Sequence, residues 1–372
     1  MTNVLVVCGT RPEGIKLAPV MQALRARPER FTARLCVTGQ HRQMLDPILK
    51  FFSLTPDFDL ELMRPGQTLT DVTAGALTRI KGVLEAVQPD WVIVQGDTTT
   101  AFAGALAAFY EKRKIAHVEA GLRTGNRYSP FPEEVNRSLI SRLADLHFAP
   151  TETARQRLAE EGLTRGVHVT GNTVIDALVE ARRLVEHQHA SAFEAEFDFL
   201  DPGRRLVLVT GHRRESFGAP FESICRAIRT LAERFEDAQF VYPVHLNPNV
   251  REPVDRLLRG APRVTLIEPV DYPRLVWLLS KSHLVLTDSG GIQEEAPTFG
   301  KPVLVMREVT ERPEGIEAGC AMLVGTDEAR IVREVSRLLT DERAWARMAQ
   351  AKNPYGDGTA ARQLVSVLDQ VG

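Results

Sequence analysis

Short runs of aliphatic and β-branched residues alternate with amphipathic stretches along this chain. In the first half the apolar runs occupy residues 4–8, 33–37, 91–95, 115–119, 146–149 and 167–170. Runs of this length, separated by stretches with helical spacing, predict parallel β-strands joined by helices, because parallel neighbours need a long crossover connection. The pattern is typical of an α/β chain whose sheet is covered by helices on both faces.

The same pattern begins a second time after a polar helical stretch at residues 176–199. Its apolar runs lie at residues 206–210, 240–244, 264–267, 284–287 and 303–306. A length of 372 residues also suits two domains of about 150 residues each. We therefore predict one α/β domain over residues 1–170 and a second over residues 171–355.

Composition narrows the classes of function. The chain is 44% hydrophobic and 25% charged, as in ordinary soluble proteins, and its formal net charge of -2 provides no bulk attraction to nucleic acid or anionic membranes. The N-terminus leads directly into a strand without a signal peptide, and no segment approaches the ~18 apolar residues of a membrane span. The cysteines, Cys8, Cys36, Cys225 and Cys320, form no Cys-x-x-Cys pair. We expect a cytoplasmic protein with reduced core thiols that binds neither nucleic acid nor membranes.

Glycine-containing loops follow matching strands in the two halves. GTRPEG follows the first strand of one half and TGHRRE the first strand of the other, whereas QGDTTT and TDSGG each follow a later strand. Ligands of doubly wound sheets bind beyond the carboxyl ends of the strands, so all four loops are predicted to face a ligand, in a cleft between the domains. Neither half contains Gly-x-Gly-x-x-Gly or a P-loop, which argues against a dinucleotide or an ATP-cleaving site.

The segment TDSGGIQEEAP has the pattern of a strand end, a glycine turn and a helix start. Ser289, Gly290 and Gly291 would present free N–H groups to phosphate oxygens, and the glycines allow a close approach. Glu294 or Glu295, further along the same helix, can accept hydrogen bonds from both ribose hydroxyls. The alternative is a capped turn without a ligand. We predict a nucleotide diphosphate here.

Basic side chains accompany the other loops. Arg11 lies in the first loop and Lys16 about one turn into the following helix, so both can face an anion, although a solvated helix end is the alternative. His212 follows a strand and has no apolar neighbours on its loop, which predicts a phosphate or sugar contact. In contrast, His117 and His283 border apolar strands and are predicted to be structural.

Candidate catalytic carboxylates lie at the ends of three predicted loops. Asp97 follows an apolar strand, where it either caps the next helix or takes part in catalysis. Glu119 ends another predicted strand, and Glu133 and Glu134 open a helix, where acids are favoured in any case, so only one of these two need be functional. The arrangement favours proton-transfer chemistry. The nine histidines show no metal-ligand spacing, and no catalytic metal is predicted.

These motifs together resemble one known family. Taken in chain order, GTRPEGIKLAPV, TGQH, QGDTT, HVEAGLRT, PFPEEVNR, GNTVIDAL, TGHRRE, PVHLNPNV, TDSGGIQEEAP and ERPEG are similar to the motifs of bacterial non-hydrolysing UDP-N-acetylglucosamine 2-epimerases over nearly the full length. The resemblance implies a GT-B type fold, with two Rossmann-like domains facing each other across a central cleft. It also implies that a C-terminal helix at residues 356–372 joins the first domain, and that the protein is a homodimer.

The resemblance further implies a reaction. Members of this family convert UDP-N-acetylglucosamine (UDP-GlcNAc) reversibly into UDP-N-acetylmannosamine (UDP-ManNAc), through elimination of UDP to a glycal and its re-addition. They need neither a nicotinamide nor another cofactor, and their product supplies N-acetylmannosamine for cell-envelope polysaccharide. The first domain would then hold the sugar and the catalytic carboxylates, and the second would bind UDP.

The family's functional residues fall on matching positions of this sequence. Its nucleotide and sugar contacts carry over to Arg11, Lys16, His212, Ser289, Gly290, Gly291, Glu295 and Arg312, and its acid/base residues to Asp97, Glu119, Glu133 and His212. A regulatory second site for UDP-GlcNAc is implied at Gln40, His41, Gln43, Arg64 and His245. One departure concerns the uracil loop, where relatives often carry Gln and Phe and this sequence has Val270 and Leu275.

Three other functions share some of these features. A GT-B glycosyltransferase would use the same fold and UDP site but would need an acceptor. A non-catalytic nucleotide-sugar sensor would keep the phosphate loops without needing the acids, and a hydrolysing relative would release free N-acetylmannosamine and UDP. The combination of Asp97, Glu119 and Glu133 favours the epimerase.

Overall fold

The structure is a computed structural model that describes residues 1–39, 42–64 and 66–371. It divides into two compact units. The first unit comprises Met1–Glu180 and Tyr355–Gly372, and the second comprises Ala181–Pro354. None of the described helices is long and apolar enough to cross a membrane.

The first unit contains a seven-stranded parallel sheet in the order β3-β2-β1-β4-β5-β6-β7. Its strands are β1 (Thr2–Cys8), β2 (Phe31–Val37), β3 (Phe58–Asp59), β4 (Trp91–Gln95), β5 (Lys114–Val118), β6 (Leu146–Ala149) and β7 (Val167–Val169). Its helices up to the second unit are α1 (Arg11–Arg25), α2 (Arg42–Phe51), α3 (Leu69–Val87), α4 (Thr99–Tyr110), α5 (Glu133–Leu143), α6 (Glu152–Glu160) and α7 (Thr173–Leu184), the last of which continues past the end of the unit.

The second unit contains a six-stranded parallel sheet in the order β10-β9-β8-β11-β12-β13. Its strands are β8 (Arg205–Thr210), β9 (Ala238–Pro243), β10 (Val264–Ile267), β11 (Leu284–Thr287), β12 (Val303–Val305) and β13 (Ala321–Leu323). Its helices are α8 (Ala190–Glu196), α9 (Ala219–Arg234), α10 (Pro248–Leu258), α11 (Tyr272–Lys281), α12 (Gly290–Glu295), α13 (Pro313–Glu317), α14 (Glu328–Thr340) and α15 (Glu342–Ala349). The chain then returns to the first unit, where α16 (Ala360–Val371) ends it.

Each sheet is covered by helices, which confirms the prediction of two Rossmann-like α/β domains. The central strand β1 is apolar and fully buried from Val4 to Cys8, as expected for a parallel strand with helices on both faces. Helix α4 is rich in alanine, and Gly104 lets it lie close to β4, because an added Cβ would come within 3.2 Å of Val94. Separate hydrophobic cores, one in each unit, hold these layers together.

Strand order fixes where each unit can bind a ligand. In the first unit β1 has β2 on one side and β4 on the other, so the crossovers change direction between β1 and β4. In the second unit the same change occurs between β8 and β11. Open α/β sheets bind ligands at such switch points, beyond the carboxyl ends of the strands. The four glycine-containing loops follow β1, β4, β8 and β11.

Candidate active site

The two switch-point loops of the first unit are tied together by Glu13, a buried residue of α1. Its Oε2 accepts hydrogen bonds from the backbone N–H of Gly9 (3.0 Å) and Thr10 (2.7 Å) and from the Thr10 hydroxyl (2.7 Å). Its Oε1 accepts one from the Thr98 hydroxyl (2.6 Å), at the start of α4. Burial raises the pKa of the Glu13 carboxyl, although these four donors act in the opposite direction. Glu13 therefore fixes the loop after β1 against the loop after β4.

Gly9 is required in this arrangement by close packing. A Cβ built on it would lie 2.3 Å from the hydroxyl oxygens of both Thr38 and Thr100, which are themselves 3.0 Å apart. No side chain fits in that space. The loop that leads into Arg11, the first residue of α1, is thus held close to its neighbours before any ligand is considered.

Lys16 and Glu119 form a close ion pair. The Lys16 ammonium donates to Oε1 (2.6 Å) and Oε2 (2.8 Å) of Glu119, and the two side chains are only 16% and 5% exposed. Gln95, the last residue of β4, also donates to Glu119 through Nε2, and Asn172 donates through Nδ2 at 3.0 Å. Glu119 follows β5 directly and has a φ of 63°, a left-handed conformation that is uncommon outside glycine. Its partners hold the carboxylate in one orientation despite this backbone.

Asp97 is paired with Arg137 of α5, which donates to its Oδ2. The Asn136 amide donates to the Asp97 carbonyl oxygen at 2.9 Å, so two consecutive residues of α5 hold this loop. Burial raises the pKa of the Asp97 carboxyl, the Arg137 guanidinium lowers it, and the negative charge of Glu119 raises it further. The net result is a raised pKa, and perturbed carboxyl pKa values are common among groups that exchange protons.

The structure separates Glu133 from Glu134. Glu134 accepts hydrogen bonds from the backbone N–H groups of Thr124 (3.0 and 3.1 Å) and Gly125 (3.0 Å), and Arg137 approaches its Oε2 to 3.2 Å. It is therefore a structural acid that anchors the preceding loop. Glu133, the first residue of α5, has a buried Oε2 without a hydrogen-bond partner among the described residues. Of the two, Glu133 is the one available for chemistry.

In the second unit a buried carboxylate ties the two switch-point loops together. Oδ2 of Asp288 accepts hydrogen bonds from the backbone N–H of His212 and of Arg213, both at 2.7 Å. Asp288 follows β11 and is 2% exposed. Asp288 is the counterpart of Glu13 in the first unit, because it joins the loop after β8 to the loop after β11.

The His212 side chain is partly exposed and lies against two groups. Its Nδ1 is 3.4 Å from Oδ1 of Asp288, and its ring stacks on His245 with 5.3 Å between centroids. Burial lowers the pKa of the His212 imidazole, while the charge of Asp288 acts in the opposite direction. A lowered pKa favours the neutral imidazole near neutral pH, and 42% exposure of the side chain leaves it accessible to a ligand.

The glycine turn after β11 has few atoms packed against its backbone, which leaves space for a ligand. The Thr287 hydroxyl accepts a hydrogen bond from the Ser289 N–H at 3.0 Å, and α12 begins at Gly290. Within 4 Å of a Cβ built on Gly290, the described residues place only the Arg213 guanidinium, at 4.0 Å. The Nε of Arg213 is buried and has no hydrogen-bond partner among the described residues. Ser289, Gly290, Gly291 and a guanidinium thus share one surface.

Glu294 and Glu295 also have different surroundings. Glu294 is buried and forms an ion pair with Arg312, whose backbone N–H donates to the Thr310 hydroxyl at 3.1 Å. Glu295 is 7% exposed on the same helix. The ion pair therefore occupies the Glu294 carboxylate and fixes the Arg312 guanidinium beside α12.

The residues predicted for a regulatory site are only partly described. Gln40 and His41 lie outside the described residues. Gln43 in α2 and Arg64 are exposed in the first unit, where the Arg64 N–H donates to the Gln67 side chain at 2.7 Å. His245 belongs to the second unit and stacks on His212.

Several residues of these networks were not predicted as site residues. Glu13, Arg137, Asn172 and Asp288 hold the predicted side chains or their loops in place. Each lies inside a motif already used, so its position next to predicted residues was the available signal. Among the described residues no cluster of three His, Cys, Asp or Glu side chains is arranged to hold a metal ion.

Comparison with known proteins connects this geometry to one family. The family model for UDP-N-acetylglucosamine 2-epimerase matches residues 22–369. The UDP-N-acetylglucosamine 2-epimerase of Escherichia coli strain K12 is 55% identical over 369 residues, which cover 98% of each chain. That of Campylobacter jejuni is 48% identical over 373 residues, covering 98% of this chain and 97% of the relative.

Solved structures give the same result. The UDP-GlcNAc 2-epimerase from Neisseria meningitidis, bound to UDP-GlcNAc, superposes with a TM-score of 0.91 at 46% identity, covering 99% of this chain and 100% of the other. The enzyme from Methanocaldococcus jannaschii, in complex with UDP-GlcNAc and UDP, superposes with a TM-score of 0.80 at 32% identity, covering 100% of both chains. The match extends over both units.

Proposed function

The chain belongs to the UDP-N-acetylglucosamine 2-epimerase family, and on this premise we propose that it interconverts UDP-GlcNAc and UDP-ManNAc by inversion at carbon 2 of the sugar. The reaction neither hydrolyses the nucleotide sugar nor uses a nicotinamide. One observation carries the proposal: three carboxylates, Asp97, Glu119 and Glu133, belong to the unit whose switch point also holds Arg11 and Lys16. A nucleotide-binding module needs no such set of acids.

UDP is assigned to the loops of the second unit. The open turn at Ser289, Gly290 and Gly291 offers N–H groups to the diphosphate. Because Glu294 pairs with Arg312, Glu295 is the carboxylate assigned to the ribose hydroxyls. Arg11, Lys16, His212 and Arg312 supply donors and positive charge to the diphosphate. Val270 and Leu275 cannot hydrogen-bond uracil through their side chains, so the base is held there by backbone groups.

The chemistry requires acids on two sides of the sugar. The carbon 2 proton is not acidic in the substrate, because no carbonyl is conjugated with it. As the bond between carbon 1 and the diphosphate oxygen breaks, its electron pair leaves with UDP and carbon 1 becomes cationic. A base then removes the carbon 2 proton, and the electrons of that bond form the double bond of a 2-acetamidoglucal. Re-addition of UDP, with a proton delivered to the opposite face of carbon 2, gives the epimer.

The structure supports particular roles for the carboxylates. Asp97 and Glu133 are proposed as the acid/base pair, because one has a pKa shifted by burial and the other has an unpartnered buried oxygen. Glu119 is fixed by Lys16, Gln95 and Asn172, which suits a residue that orients the sugar. His212 and Arg11 stabilise the departing diphosphate. Glu13 fixes the switch-point loops of the first unit and Asp288 fixes those of the second. These loops therefore need little reorganisation when charge develops in the transition state.

Incubation with UDP-GlcNAc as the only added substrate tests the activity. Formation of UDP-ManNAc without an acceptor, measured by proton NMR or anion-exchange chromatography, is the expected result. Unchanged substrate that turns over only when an acceptor sugar is added would identify a transferase. Tight binding without any turnover would identify a sensor, and free N-acetylmannosamine with UDP would identify a hydrolysing enzyme.

We propose in addition that the protein works as a cytoplasmic homodimer that supplies N-acetylmannosamine for envelope polysaccharide. A solution mass near twice 41.3 kDa is expected from light scattering, and a mass of one chain would contradict the dimer.

We also propose that UDP-GlcNAc binds a second, regulatory site formed by Gln40, His41, Gln43, Arg64 and His245. The rate should then depend sigmoidally on UDP-GlcNAc concentration, and a hyperbolic dependence would contradict that role.

A further inference from the structure

Asn172 connects the returning chain to the Glu119 carboxylate. Its backbone N–H donates to the carbonyl oxygen of Tyr355 at 2.7 Å, at the point where the chain re-enters the first unit. Its Nδ2 donates to Oε1 of Glu119 at 3.0 Å, and its Oδ1 accepts from the N–H of Val174 at 3.1 Å, at the start of α7. Asn172 is 2% exposed. One buried residue thus joins three separate parts of the unit, two of them through its side chain and the third through its backbone N–H.

The backbone around Asn172 leaves little room for adjustment. Gly171 has a φ of 87°, and a Cβ built on it would lie 3.2 Å from the Cα of Gly356 and 3.3 Å from the Tyr355 oxygen. The two chain segments therefore pass close together, and glycine suits this crossing because a Cβ would be crowded and the positive φ is strained for other residues. Asn172 lies between this crossing and the start of α7, so both neighbours restrict the position of its amide.

Glu119 needs such support because its backbone is in an unfavourable conformation. A left-handed conformation is unfavourable for a non-glycine residue and persists only where the surroundings over-determine it. The Glu119 carboxylate is held by Lys16, Gln95 and Asn172. The first belongs to helix α1 and the second to the neighbouring strand β4. Asn172 alone among the three is attached to the segment that leads out of the unit.

We propose that Asn172 is a positioning residue for the epimerase reaction, which orients the Glu119 carboxylate toward the sugar through its side-chain amide. The proposal rests on the proposed function. It assigns to the Gly-Asn-Thr segment before α7 a role in the site in addition to capping that helix.

Two variants separate positioning from capping. Asn172→Ser keeps an oxygen that can cap α7 but is too short to reach Glu119. Asn172→Asp also keeps the cap, but it replaces the donor by a carboxylate beside Glu119. Purified full-length variants are assayed with UDP-GlcNAc from about pH 5 to about pH 9. We expect kcat to fall about tenfold or more in both variants, because misorientation of a contact group by about 1 Å is this costly.

The pH profile distinguishes the two. In Asn172→Asp two neighbouring carboxylates compete for protons, so the acidic limb of the profile should move to higher pH, whereas in Asn172→Ser it should not. Among the described residues, Lys16 pairs with Glu119 and the charge of Glu119 acts on Asp97 and His117; both variants leave these three groups unchanged. Asn3→Asp, which changes an amide bonded to the Val87 carbonyl near the start of β1, is the matched control and should keep the wild-type profile.

A second readout does not depend on turnover. Glutamate labelled with carbon-13 at the carboxyl carbon allows NMR titration of Glu119, whose signal is the one lost in Glu119→Gln. Its titration midpoint should move to higher pH in Asn172→Asp. Wild-type kcat, pH profile and titration in both Asn172 variants would overturn the proposal. If the titration moves but no protein turns over UDP-GlcNAc, the proposed function fails and the coupling of Asn172 to Glu119 stands.

Discussion

Replacing Glu133 with Gln should lower kcat for epimerisation by about 10²–10⁴-fold, the usual contribution of a positioned acid or base. The amide has nearly the shape of the carboxylate, and no hydrogen bond to the buried Oε2 of Glu133 is lost in the described part of the chain. The free energy of unfolding should therefore stay close to that of the wild type. Initial rates with UDP-GlcNAc and urea unfolding of the same preparations measure the two quantities.

Glu134→Gln is the matched control, one residue further along α5. Glu134 accepts from the N–H groups of Thr124 and Gly125, and an amide can satisfy only part of this arrangement. We expect a loss of about 1–3 kcal/mol in stability, from buried donors left unpaired. A stable but inactive Glu134→Gln protein, together with an active Glu133→Gln protein, would show that the roles of the two acids have been exchanged here.

Replacing Asp288 with Ala should cost about 3 kcal/mol or more in the free energy of unfolding. The carboxylate accepts two backbone hydrogen bonds at 2.7 Å in a buried position, and a hydrogen bond to a charged group contributes about 1.5–3 kcal/mol. Without it, the His212 and Arg213 segment is no longer tied to the glycine turn. KM for UDP-GlcNAc should rise as well, because the diphosphate contacts lose their fixed positions. Denaturant unfolding and steady-state kinetics give both values.

Two further variants control for this result. Asp288→Asn retains an oxygen for the two N–H groups but removes the charge, so it should lie between wild type and Asp288→Ala. Asp237→Ala removes an ion pair with Arg205 from an aspartate whose side chain is 63% exposed, and surface pairs contribute only about 0–1 kcal/mol. Equal losses of stability in Asp288→Ala and Asp237→Ala would refute the anchoring role of Asp288.

Much of the fold follows from the sequence because buried parallel strands are continuous apolar runs. Every predicted strand is present, and the repeated series did indicate two sheets. The missed strands, β3 and β13, have only two and three residues, so they carry no periodicity that could be recognised. The first unit ends at Glu180, inside the continuous helix α7, where composition gives no sign of a boundary.

The positions of the site loops follow from the sequence, but their hydrogen-bond partners do not. The carboxylates were predicted from their places after apolar strands or at a helix start. Glu134 anchors a loop and Glu133 does not, and this difference depends on where the backbone of residues 124–125 folds back. Nothing in the sequence of the acidic pair itself shows this. Likewise Asn172 and Glu119 are distant in sequence, and only tertiary packing brings them within 3.0 Å.

The central claim is that the carbon 2 proton is exchanged through elimination and re-addition of UDP. Proton NMR of the purified protein with UDP-GlcNAc in heavy water, without added nicotinamide, tests it most directly. The account predicts UDP-ManNAc that carries deuterium at carbon 2, together with exchange into the remaining UDP-GlcNAc. UDP-ManNAc that retains the original proton at carbon 2 would contradict the account.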